Sequence, residues 1–229
     1  MRILFIRHGE PDYALDCLTD IGRQQAAAAA RRLEREGISE IYASPMGRAQ
    51  ETAAFTAERL GLPVQTLDYM HEITWGGPGI PQNGHPWTLS NWMMSRENFD
   101  FFTQDWREHP YYRENAATEC FRQVSAQFDG FLASQGYRHE GVRYFCQASE
   151  DRVIAVFSHG GSGACVLAHL LALPFPYVIT VMPYEFTSII SVVLPFHPGE
   201  YVRPRLRVFN DVCHTQGISK GLVFQQDPD

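Results

Sequence analysis

Two short apolar runs in this chain each end in a histidine followed by glycine, and that repetition narrows the fold more than any other feature. Near the start, Ile3-Leu4-Phe5-Ile6 breaks into Arg7-His8-Gly9-Glu10; much later, Val153-Ile154-Ala155-Val156-Phe157 breaks into Ser158-His159-Gly160-Gly161. Short uncharged runs rich in Ile, Val and Phe read as buried strands. The polar clusters then fall at strand carboxyl ends, where open α/β sheets hold their ligands. Two imidazoles delivered in the same way predict one shared pocket. Gly9 is expected to let the backbone turn sharply and a substrate come close to His8.

The intervening sequence supplies helices of the right size. Thr19 is a good N-cap, and the alanine run 26–30 starts a helix that continues through Arg31-Arg32-Leu33-Glu34 and stops at Gly37. Residues 38–43 read as a second strand. Ser44-Pro45 opens a helix carrying Arg48, Glu51 and Thr52 and ending at Gly61, and residues 64–67 form a third strand. Strands alternating with such helices are βαβ units, hence a largely parallel sheet with right-handed crossovers. Phe121, Val124, Phe128, Phe131 and Leu132 recur at helical steps and are closed by Gly136. A helix over 162–173 and two strands, 189–196 and 206–209, complete the pattern.

Residues from about 75 to 115 break this rhythm. They open with Gly76-Gly77-Pro78-Gly79-Ile80-Pro81 and carry Trp87, Trp92, Phe99, Phe101, Phe102, Trp106, Tyr111 and Tyr112, with residues 89–94 suited to a helix. We read an aromatic-rich insertion beside or over the pocket, whose rings suit a pocket wall or a satellite core. With no repeat or linker, residues 1–229 are expected to form one α/β domain. Its architecture would be a three-layer sandwich, a mostly parallel central sheet flanked by helices.

Charge narrows the function. The formal net charge of −7 argues against nucleic acid and against a polybasic membrane patch, and no apolar stretch approaches a membrane span. Cys17, Cys120, Cys146, Cys165 and Cys213 are odd in number, scattered and without a CxxC pair. They read as free thiols in a reducing compartment; with no signal peptide in view, the cytoplasm is expected. Against this acidic background Arg7, His8, Arg48 and His159 would gather into a cationic pocket fit for a tetrahedral oxyanion. Helix N-termini at Pro45-Met46 and Gly160-Gly161 would add N–H donors, and Glu72 would give a proton to a leaving oxygen.

In order, the chain presents Arg7-His8-Gly9, then Leu18-Thr19-x-x-Gly22-x-x-Gln25-Ala26, then Ser44-Pro45-x-x-Arg48-Ala49-x-x-Thr52. His71-Glu72-Ile73 and Ser158-His159-Gly160-Gly161 complete the series. It resembles the histidine phosphatase superfamily, which includes the phosphoglycerate mutases, and implies a phosphoglycerate mutase-like fold. The closing Phe209-Asn210-Asp211, with His214, is similar too. The resemblance implies His8 as the nucleophile that takes the phosphoryl group. It implies Arg7, Arg48, His159 and Gly160 as the substrate-binding set, Glu72 as general acid and base, and neither cofactor nor metal.

Two departures stand out. Thr74-Trp75-Gly76 only partly matches the family's residues beyond the glutamate, which leaves Glu10 or Asp12 as alternative proton donors, and Ala14 stands where relatives carry a phosphate-contacting asparagine. Only nine residues separate His8 from Leu18, and the insertion has Arg96, Arg107 and Arg113 as its only basic residues. Both features favour a phosphatase acting on a small phosphomonoester over a mutase. A catalytically weak phospho-ligand-binding or regulatory protein is the third reading. Gly160-Gly161-Ser162-Gly163-Ala164, with Asp211 and His214, also fits a relaxed serine-hydrolase elbow, but no oxyanion motif precedes it. His71-Glu72 lacks the second histidine of a zinc-protease helix. The oligomeric state stays open, a homodimer included.

Overall fold

The protein is described by a computed structural model over residues 1–218. The chain enters β1 (Arg2–Arg7), and a short pair, β2 (Pro11–Asp12) and β3 (Cys17–Leu18), ties the loop behind it. α1 (Asp20–Leu33) starts where the Thr19 hydroxyl accepts the Gly22 N–H at 3.0 Å. β4 (Glu40–Ala43), α2 (Gly47–Leu60) and β5 (Val64–Thr66) come after it, α2 being closed by Gly61 at φ 66° in the left-handed region. Next come α3 (Pro86–Ser95), α4 (Pro110–Arg113) and α5 (Ala116–Ser134). The second half runs β6 (Tyr137–Glu140), β7 (Arg143–Cys146), β8 (Val153–Ser158), α6 (Gly160–Leu171) and α7 (Phe175–Val181). It closes with β9 (Ile189–Val193), β10 (Tyr201–Val202) and β11 (Arg205–Asp211).

Six strands form the central sheet in the order β11-β9-β1-β8-β4-β5. The pairs β1/β8, β8/β4 and β4/β5 are parallel; β9 runs antiparallel to β1, and β11 to β9. Alternation along the strands divides the core between the two faces. Ile3, Phe5, Ile154 and Val156 pack with Phe128 of α5, Val166 of α6 and Val178 of α7. Leu4, Ile6, Ala155 and Phe157 pack with Leu33 of α1 and Ala53 of α2. Burial on both faces is why β1 and β8 are apolar at successive positions rather than at alternate ones.

The α/β sandwich with a mostly parallel sheet matches expectation, with boundaries moved by a few residues. α1 ends four residues before Gly37, α2 begins after Pro45 rather than on it, and α6 begins at Gly160. A second, three-stranded sheet in the order β10-β7-β6 lies outside the expected pattern. Arg138, His139, Glu140 and Arg143 give it no apolar alternation to read. In the aromatic-rich stretch, Phe101, Trp106 and Tyr112 join the core beside α5 and α7. Trp75, His85 and Trp87 instead cluster edge-to-face, with ring centroids 4.1–5.4 Å apart, and Trp75 remains partly exposed. No helix among the described residues is long and apolar enough to cross a membrane.

Candidate active site

Register brings the polar strand ends together. β1 lies beside β8 with Arg7 opposite Ser158, and β8 beside β4 with Phe157 opposite Ala43. The His8 amide donates to the Ser158 carbonyl, and the Ser44 amide to the Phe157 carbonyl, both at 2.9 Å. The His8 and His159 rings therefore face each other across 5.1 Å between centroids. Arg48 enters from the first turn of α2, and Glu72 from the loop after β5. Gly160, the first residue of α6, lies against Arg7: a Cβ there would stand 3.8 Å from the guanidinium carbon. His8, Arg48 and His159 are all buried.

The tautomer of His8 is set by its partners. Nδ1 lies 2.8 Å from the Gly9 carbonyl, which can only accept, so the ring hydrogen sits there. The Arg48 Nε–H points at Nε2 from 3.3 Å, leaving that nitrogen as the one with the lone pair. Burial first, then the Arg7 charge, lower the His8 pKa from 6.5 to about 3, so the ring is neutral at physiological pH. His159 is lowered to about 2, by burial and then by His8, and its Nε2 shares a 2.7 Å hydrogen bond with Ser44 Oγ.

Arg7 is fixed by the Tyr184 carbonyl, 2.6 Å from one of its terminal nitrogens, and by the Phe186 ring, 4.3 Å from its guanidinium carbon. Its buried Nε has no hydrogen-bond partner, and neither has Nδ1 of His159. Buried polar atoms are almost always satisfied within a protein. Beside a neutral histidine, these two atoms could receive an oxygen-rich group.

Glu72 reaches the start of α6. Its Oε1 accepts the amide hydrogens of Ile73 at 2.9 Å, Gly161 at 2.9 Å and Ser162 at 3.1 Å. Burial raises the Glu72 pKa, outweighing those N–H groups and the Arg7 and Arg48 charges that oppose it. With Oε1 spent on three donors, Oε2 is the oxygen left to carry a proton. Of the N–H groups at the start of α6, those of Gly161 and Ser162 thus hold the Glu72 side chain. α2 is similar: the Gly47 N–H donates to Asp16 Oδ2 at 2.7 Å, while Asp16 Oδ1 pairs with Arg48 at 2.5 Å. Asp16 sits at φ 50°, and nothing in the sequence singles it out.

Other expectations resolve differently. Gly9 is not in the left-handed region; a Cβ there would lie 2.6 Å from the Gly22 carbonyl oxygen, so its smallness serves the packing of β1 against α1. Thr52 takes the Gly9 amide hydrogen at 3.0 Å. Glu10 accepts from the Thr19 hydroxyl and Asp12 from the amides of Ala14 and Leu15, so both carboxylates are engaged in local structure. Ala14 is exposed. Ser162 donates to the Met70 carbonyl, and His214 pairs with Thr187, so neither belongs to a serine triad.

Comparison with known proteins places the chain in a family and a fold. The family model for the histidine phosphatase superfamily (branch 1) matches residues 3–200. The probable phosphoglycerate mutase GpmB of Yersinia enterocolitica is 32% identical over an 85-residue alignment that covers 33% of this chain and 40% of that protein. Among solved structures, a mycobacterial glucosyl-3-phosphoglycerate phosphatase superposes with TM-score 0.62 at 24% identity, covering 91% of this chain and 98% of its own. The phosphoserine phosphatase of Entamoeba histolytica, solved with 3-phosphoglyceric acid, gives 0.63 at 23% identity, covering 93% and 98%. With a family match across most of its length and a fold shared with these phosphatases, the chain belongs to the histidine phosphatase superfamily, branch 1.

Proposed function

We propose that this protein is a phosphatase that hydrolyses a small phosphomonoester through a phosphohistidine on His8, with no metal in the chemistry. The observation that carries this reading is the pairing of a neutral His8, its lone pair on Nε2, with the unsatisfied Arg7 Nε and His159 Nδ1. A phosphoryl group seated there would place its oxygens on Arg7, Arg48 and His159, with the amide end of Gly160 adjoining.

Attack by Nε2 on phosphorus forms the N–P bond while the ester P–O bond breaks, and the Glu72 Oε2 proton passes to the departing alkoxide. Glu72, now a carboxylate, takes a proton from the water that attacks phosphohistidine. Inorganic phosphate leaves, His8 regains its lone pair and Glu72 its proton. Arg7 and Arg48, fixed beforehand by Tyr184, Phe186 and Asp16, stabilise the charge that develops on the equatorial oxygens. The partly exposed Trp75 lies three residues after Glu72 and meets Trp87 edge-to-face, which supports an apolar or aromatic leaving group.

Phosphate release from a panel of phosphomonoesters, by the parent and by His8→Ala, each with and without EDTA, tests the reading. Release that ignores EDTA and vanishes in the variant is the expected outcome. Interconversion of 2- and 3-phosphoglycerate without net phosphate release would replace it with the mutase reading suggested by the Yersinia relative. Phosphate binding with no turnover on any compound would replace it with a binding role.

A further inference from the structure

On the helical side of the molecule, away from the pocket, Asp129 of α5, His139 of β6 and His169 of α6 converge. We propose that these three side chains form a binding site for one divalent cation of the zinc class. Asp129 Oδ2 lies 2.7 Å from His139 Nδ1, and Oδ1 lies 2.8 Å from His169 Nε2. One donor atom from each residue falls within 4.8 Å of the others.

Hydrogen bonding around His139 carries the argument. Its Nε2 stands 2.6 Å from the Gly141 carbonyl oxygen, which can only accept, so a ring hydrogen sits on Nε2. A neutral His139 then has its lone pair on Nδ1, aimed at a carboxylate oxygen that also only accepts. Two acceptors 2.7 Å apart need positive charge between them. His169 meets the same carboxylate from the other side, its ring centroid 4.8 Å from that of His139. One dication between them would serve both nitrogens and the carboxylate. A histidine whose far N–H is pinned by a backbone carbonyl is also the arrangement metal-bound histidines adopt.

The surroundings fit the same purpose. The Tyr144 hydroxyl donates to Asp129 Oδ1 at 3.1 Å, and its ring stacks on His139 at 4.8 Å. Both contacts hold ligands in place. Two imidazole nitrogens and one carboxylate oxygen suit a four-coordinate zinc-class ion, with water in the fourth position. Bond lengths of ~2.0–2.1 Å to such an ion put tetrahedral donors roughly 3.3 Å apart, so the two carboxylate contacts would open by about half an ångström while the widest donor pair, within 4.8 Å, would close. His169 and His159 stand at opposite ends of α6. At ~1.5 Å rise per residue they are roughly 15 Å apart along the axis, so the ion would tie α5, α6 and the β6–β7 hairpin together without touching the reaction.

The test uses the full chain, stripped of metal with a chelator that is then dialysed away. Calorimetric titration with Zn2+ should show one equivalent per chain and a rise in Tm. His169→Ala and His139→Gln should each weaken binding by about 10- to 100-fold, with phosphate release unchanged. His8→Ala should bind as the parent does, which separates this site from the pocket histidines. No binding by the parent, or parental affinity in both histidine variants, would overturn the proposal. If the variants fail to fold, the parent decides by its Co2+ spectrum. Intense visible bands of a four-coordinate ion are expected, and a weak six-coordinate spectrum would overturn it.

Discussion

Glu72 and Asp16 are two carboxylates at two helix starts, and their environments push them in opposite directions. Burial keeps Glu72 above the ordinary carboxylate range. Asp16 is held below it, because the Gly47 N–H and the Arg48 guanidinium outweigh the effect of burial. Glu72 is therefore suited to giving a proton and Asp16 to holding a charge. Glu72→Gln keeps the shape and the contact through Oε1 but has no proton to cycle, so kcat should fall by about 10²- to 10⁴-fold. Binding of inorganic phosphate, measured by competition, should stay near the parental value. Asp16 occupies Arg48 much as a phosphate oxygen would. Asp16→Ala should tighten phosphate binding by about two- to fivefold, the size of a half-exposed ion pair. Weaker binding would show instead that Asp16 orients the guanidinium. Arg7, His8, Arg48 and His159 could be singled out in the sequence because each sits next to a strand or helix end, whereas Glu72, in the loop after β5, was singled out through the family resemblance. Asp16 was not legible: its role depends on a loop crossing to α2, and short-range pattern carries no record of such a crossing.

At the scale of elements, close backbone approaches decide how strands and helices meet. A methyl group on Gly161 would lie 2.4 Å from Ile73 Cγ1 and 2.5 Å from Glu72 Oε1. Gly161→Ala should therefore displace the proton donor and lower kcat by about 10²-fold, since an ångström of misplacement is enough for that. A Cβ on Gly22 would meet the Glu10 carbonyl oxygen at 2.1 Å, where only backbone can yield. Gly22→Ala should cost about 1–3 kcal/mol, read as a lower urea midpoint. Thr19→Ala, which removes the α1 cap, should cost about 1 kcal/mol by the same measurement. The glycines were visible in the sequence, yet their reason was not: Gly9 and Gly22 each stand within a carbonyl's reach of a distant backbone, and that distance belongs to the packed state. α1, α2 and α5 were legible through caps and helical spacing. β6 and β7 were hidden because their charged residues pair with one another and with neighbouring helices instead of alternating with apolar ones.

Across the whole molecule, the neutral histidines make folding sensitive to acid. In the unfolded chain His8 and His159 take up protons near 6.5; in the fold they do so only near about 3 and about 2. A folded pKa below the unfolded one leaves stability intact above pH 6.5 and removes it as the pH falls through that window. At pH 5 the loss should be roughly 2 kcal/mol for each histidine. Urea midpoints at pH 7.5 and pH 5 measure it, and His8→Asn should flatten the slope.

The pairing of Arg7 with Ser158 in adjacent parallel strands has a consequence for how such a chain can change over generations. Side chains on a strand alternate between faces, so losing one codon inside β8 would turn His159 away from His8, along with each core residue between the gap and the strand's end. The same loss at the exposed Ser149, in the loop before β8, leaves the alternation untouched. Length variation should therefore be lethal to the pocket in one place and silent a few residues earlier. A scan of single-residue deletions across 147–158, scored for phosphate release, would draw that boundary as a step at the first residue of the strand.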